Sequence, residues 1–85
     1  MKNQYSVRLR SCGNPDHGQY GPVSDPEIVR AETLADVVAA VRDYIDRWNL
    51  GGGNWINPPL KRDGKKIGVV RYSGWLVGMN GEDLA

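Results

Sequence analysis

Tyr5, Val7 and Leu9 alternate with Gln4, Ser6, Arg8 and Arg10, the period-two pattern of a strand with one buried and one wet face. The alternation ends at Ser11. From Ser11 to Pro26 the chain reads SCGNPDHGQYGPVSDP, with too many prolines and glycines for a helix or a central strand. A connection this long inside a small domain is commonly functional or disordered, so it is the first place to look for a site. Glu27 to Ala31, which holds Ile28 and Val29, predicts a second strand running back beside the first.

The period then changes to that of a helix. Leu34, Val37, Val38, Val41, Ile45 and Trp48 form one apolar stripe, opposite Asp36, Asp43, Asp46 and Arg47. Thr33 is placed as N-cap with Asp36 three residues on, and Asp43 and Arg47 stand four apart as a surface pair. The helix is expected over Leu34 to Asn49. Gly51, first of three glycines, is expected as the left-handed residue that closes it.

Asn57-Pro58-Pro59 argues that Trp55 to Leu60 is an edge strand or ordered coil rather than a central strand. Asp63-Gly64 is a two-residue hairpin signal between Leu60 to Arg62 and Lys65 to Tyr72. Ser73-Gly74 is a second turn, leading into Trp75 to Met79, and the polar tail Asn80 to Ala85 is expected to fray. The pattern predicts an α+β fold: ββα followed by a β-meander, one helix on an antiparallel sheet of about four to five strands. Tyr5, Val7, Leu9, Ile67, Val69 and Val77 are expected to meet the helix. The other face would then display Arg8, Arg10 and Arg30, and a one-residue slip would reverse this.

The 85 residues are read as a single domain, and with 40% hydrophobic and 25% charged residues the composition is globular. There is no Phe, so three tryptophans and four tyrosines supply all the aromatic volume. A small core does not easily hide three indoles, and an exposed Trp55 or Trp75 favours a protein partner. The net charge is +1, but it is unevenly placed. Residues 25–49 carry six acids against three arginines, whereas the segments on either side are each net basic. No apolar run is long enough to span a membrane. The single Cys12 excludes an intrachain disulfide, and with no secretory leader pattern a cytoplasmic location is expected.

No motif of high specificity for catalysis, a cofactor or a metal occurs. Cys12, Asp16 and His17 are too few for a zinc site within one chain, and a Cys–His nucleophile would also need a cleft and oxyanion donors. Gly51-Gly52-Gly53 follows a helix, at its negative end, whereas phosphate loops precede one. The basic tip Lys61-Arg62-Asp63-Gly64-Lys65-Lys66, with Arg8, Arg10 and Arg71, could grip phosphates. A pI of about 7.9 lies below that of dedicated nucleic-acid modules.

Residues 11–19 (SCGNPDHGQ), residues 50–55 (LGGGNW) and the turn Tyr72-Ser73-Gly74-Trp75 resemble short uncharacterised proteins of bacterial phages, plasmids and integrative elements. That resemblance implies a setting: small proteins that bind and block a host machine, including CRISPR effector complexes, in an anti-CRISPR-like role. The expectation is a non-enzymatic binding protein without cofactor, a steric inhibitor whose partner is a protein or ribonucleoprotein complex of the host. The expected contact residues are Arg8, Arg10, His17, Tyr20, Trp55, Lys61, Arg62, Lys65, Lys66, Arg71 and Trp75. The alternative is a small nucleic-acid-binding accessory or regulatory protein that uses the basic sheet face and hairpin.

Overall fold

The computed structural model describes residues 4–84. It contains strands β1 (Tyr5–Leu9) and β2 (Glu27–Ala31), helix α1 (Leu34–Trp48), and strands β3 (Pro59–Arg62), β4 (Lys65–Arg71) and β5 (Trp75–Gly78). The strands form one antiparallel sheet in the order β2-β1-β3-β4-β5. The helix packs on one face of it, as the period change in the sequence predicts.

Helix α1 begins where Thr33 Oγ1 accepts the Asp36 N–H at 3.1 Å, satisfying one of the orphan donors of the first turn. It ends differently from expectation. Asn49, not Gly51, takes the left-handed conformation (φ 50°, ψ 50°), and Gly51 is extended. Asparagine tolerates that region without glycine's help. Asn49 N–H then donates to the Asp46 carbonyl at 3.3 Å and Leu50 N–H to the Ile45 carbonyl at 3.0 Å, the double closure of a Schellman end. This reversal drives Leu50 into the core. Trp48, expected inside, stays 36% exposed with its ring tilted against Tyr44 at 6.5 Å.

Val37, Val41, Tyr44 and Ile45 are the buried helix residues. They meet Tyr5, Val7 and Leu9 of β1, Val29 of β2, Leu60, Val70 and Leu76 in one core. Two expected core positions are corrected: Val70 and Leu76 are fully buried, while Val69 and Val77 face each other across β4 and β5 on the opposite face. The cause is a register slip. Leu60 pairs with Gly68 but Lys61 pairs with Lys66, so Ile67 is an extra residue in β4 and the alternation shifts by one.

Trp55 makes an isolated bridge to Ser11 and residues 56–58 are coil, but β3 from Pro59 onward is central, lying between β1 and β4. Proline is tolerated there because it is the first residue of the strand. Asp63 (φ 52°) and Gly64 (φ 86°) both take the positive φ of a type I′ hairpin, and Ser73 (φ 70°) and Gly74 (φ 84°) make the second turn. The tail does not fray as expected: Asp83 bridges Val77, and the Leu84 N–H donates to the Leu76 carbonyl at 3.0 Å. Ala85 lies outside the described residues.

Tyr44 has no solvent exposure, and its hydroxyl is satisfied inside the fold. It donates to the Asp25 carbonyl at 2.5 Å and lies 2.6 Å from the Ser24 hydroxyl, itself 2.7 Å from that of Ser11. This chain ties the start and end of the long loop to the helix. Tyr44→Phe is expected to lower stability by about 1 to 3 kcal/mol, because it strands buried acceptors while keeping the ring; denaturant unfolding measures it.

Candidate functional site

The two conspicuous loop motifs meet in space. Ser11 bridges Trp55, and the Cys12 N–H donates to the Asn54 carbonyl at 3.0 Å. The buried Asn54 side chain joins the segments: Nδ2 donates to the Cys12 carbonyl and to Gln19 Oε1, both at 2.9 Å, while Oδ1 accepts the Gly51 N–H at 3.0 Å. A Cβ on Gly53 would lie 2.4 Å from Asn14 Nδ2, so glycine there lets the Asn14 side chain approach closely and is not needed for a left-handed turn. The glycine run is thus the seat on which residues 11–19 rest. His17 and Tyr20 project from that loop, Tyr20 being 87% exposed. Cys12 is exposed, with its Sγ 3.5 Å from the Gly53 carbonyl, and the described residues contain no cluster of three metal-ligating side chains.

The larger concavity lies elsewhere, on the sheet face opposite the helix. A groove of about 510 Å³ is lined by Arg8, Arg10 and Lys61, by the polar Ser6 and Asn57, and by Ile28, Ile56, Pro58 and Pro59, together with Val7. None of its lining residues is an acid, thiol or imidazole. Register explains the assembly. Ser6 pairs with Arg30 on one side and with Lys61 on the other, and Lys61 pairs with Lys66. Arg30, Ser6, Lys61 and Lys66 therefore form one row across four strands, about 14 Å at the usual strand spacing. Next to it Ile28 stands opposite Arg8 on β2 and β1, and Pro59, Val69 and Val77 pair in turn across β3, β4 and β5. Arg71 pairs with Trp75 and holds its guanidinium 5.0 Å from the ring centroid, within cation–π range.

Charge is unevenly placed over the surface. Asp36, Asp43 and Asp46 are exposed on the helix, whereas Arg8, Arg10, Arg30, Lys61, Lys66 and Arg71 belong to the sheet. Arg47 is committed on the acidic side: it reaches Glu27 at 2.6 Å and Asp43 at 2.7 Å, and these hydrogen bonds, Glu27 first, raise its pKa above the ordinary value. The side chains of Arg8, Arg10 and Lys61 form no ion pair or hydrogen bond among the described residues. Lysines placed directly across from each other repel. The Lys61–Lys66 pair is a local cost that an anionic ligand would relieve.

Of the expected contact residues, the structure brings Arg8, Arg10, Lys61 and Lys66 together on this face, with Arg71 and Trp75 at its β4–β5 side. Arg62 and Lys65 face each other at the hairpin end. His17 and Tyr20 stand apart on the loop beside a shallower hollow of about 400 Å³. Trp55 is half-buried and engaged, with its indole N–H donating to the Val70 carbonyl at 2.9 Å and its ring edge-on to Tyr72. Trp75 is 49% exposed. Sequence reasoning missed Ile28, Ile56 and Pro59 as groove residues, because nothing local tells which way an Ile28-Val29 pair points. It also missed Asn54, whose role depends on partners some 40 positions away in the chain.

No family model matches this chain, and no curated protein or solved structure matches it. No helix among the described residues is long and apolar enough to cross a membrane.

Asn54→Ala removes three hydrogen bonds of the loop seat. Amide exchange across residues 12–19 is expected to accelerate at least tenfold while the protection of α1 stays unchanged, which exchange mass spectrometry resolves.

Proposed function

We propose that this protein is a non-enzymatic binding protein of a mobile genetic element, acting in the cytoplasm by steric block of a host defence complex of CRISPR type. The observation that carries the reading is the helix-free sheet face, where uncommitted cations surround an apolar groove. Its lining offers charge, shape and apolar area for docking. The mobile-element setting rests on the motif resemblance of residues 11–19 and 50–55. The interlock of those two motifs supports a structural part for them, leaving the contact to the sheet face and the Arg71–Trp75 pair.

The test is a phage-plating assay in a CRISPR-proficient host that expresses the protein. Wild type is expected to restore plating by at least a hundredfold. The double variant Arg8→Glu, Lys61→Glu is expected to lose at least nine-tenths of that gain, with its circular dichroism spectrum unchanged. Wild type without effect across several effector types, or a double variant as active as wild type, would remove this reading.

A further inference from the structure

The groove between β1 and residues 56–59 carries a more specific assignment, which rests on the docking reading above. We propose that it binds the sugar-phosphate backbone of a single-stranded nucleic acid. Three cations, Arg8, Arg10 and Lys61, border the groove without a carboxylate among its lining residues, and their side chains are not engaged by any described neighbour. Ser6 and Asn57 add neutral hydrogen-bonding groups beside them. Such a set suits a phosphodiester, which carries one negative charge shared over two non-bridging oxygens that accept hydrogen bonds from guanidinium and ammonium groups.

The apolar part of the lining decides between polyanions. Ile28, Ile56 and Pro59 interleave with the cations, so the site has a dry strip alongside a charged one. A single strand has the same two-sided character, with phosphates on one side and sugar and base faces on the other. A duplex presents phosphates outward and hides its base faces. The groove volume of about 510 Å³ is that of a small-ligand pocket and suits one or two nucleotides, not a double helix. Beyond the groove the row Arg30, Lys61, Lys66 extends the cationic track across the strands, so a strand lying across the sheet meets successive charges.

The near-neutral net charge is compatible with this arrangement because the groove lining itself holds no carboxylate, while Asp36, Asp43 and Asp46 stand on the helix. A strand approaching the sheet meets the local field, which falls off over about 10 Å at 0.1 M salt. Electrostatic affinity of this kind is set by the phosphates neutralised, not by the net charge of the whole molecule.

Fluorescence anisotropy with a labelled 12-nucleotide single strand of mixed sequence, and with the matching duplex, tests the assignment on the full chain. The single strand is expected to bind at 50 mM salt at least tenfold more tightly than the duplex. Three neutralised phosphates predict roughly 15- to 20-fold weaker binding at 200 mM salt. Arg8→Glu is expected to weaken binding at least fivefold and the milder Arg8→Gln at least twofold. Ala35→Glu, Ala39→Glu makes the same change in net charge on exposed helix positions and is expected to change binding less than twofold. Absence of binding at 50 mM salt, equal affinity for the duplex, or an equal loss from the helix variant each overturns the proposal. If oligonucleotides fail while block of the host complex persists and still depends on Arg8, the occupant is an acidic protein surface and only this assignment falls. If the single strand binds but no host complex is blocked, the steric-inhibitor reading falls and this one stands.

Discussion

A chain with one long helix can cover one face of a five-stranded sheet and no more. That constraint organises everything else in this molecule. The covered face supplies the core, from Tyr5, Val7 and Leu9 through Leu60, Val70 and Leu76, and removing those side chains from water is the main stabilising term available to so small a domain. The other face stays in contact with solvent and must be soluble on its own. Cations in alternation with apolar residues meet that requirement and at the same time build a surface that attracts anions.

The loops solve a second problem, that of ordering the connection from Ser11 to Pro26, in which one 3-10 turn at Pro15–His17 is the only regular element. Two buried polar groups do this. The hydroxyl of Tyr44 reaches out from the helix to Ser24 and Asp25, and the side-chain amide of Asn54 reaches across to Cys12 and Gln19. No buried side-chain nitrogen or oxygen among the described residues lacks a partner. Such bonds gain little when made but cost a full desolvation penalty when broken, so each fixes the loop more by penalising alternatives than by adding stability.

The same logic separates the two kinds of charge. Arg47, Glu27 and Asp43 use each other on the helix side, an exposed network that contributes little to folding. On the sheet side Lys61 and Lys66 are opposed and form no ion pair among the described residues. The exposed helix acids and the cations of the sheet face are set apart in the fold, so a charged partner meets local fields that the small net charge does not describe.

Periodicity alone determined the elements and their class: the alternation of Tyr5, Val7 and Leu9, the stripe from Leu34 to Ile45, the Thr33 cap and the Asp63-Gly64 turn are local signals, and each holds because the forces behind it act within a few residues. Arg8 and Arg10 as an exposed basic pair were legible for the same reason. What needed tertiary structure were the non-local matters. The bulge at Ile67, which puts Val70 and Leu76 inside instead of Val69 and Val77, exists only because β4 must register against β3 and β5 together. The strand that Pro59 opens is central only because Tyr5 to Val7, far earlier in the chain, pair with Leu60 to Arg62. The Asn49 reversal, the Asn54 clamp and the groove shared by Arg8, Lys61, Ile28 and Ile56 likewise join residues whose proximity is a property of the folded sheet, and no pattern in a linear chain encodes which distant partners will share a face.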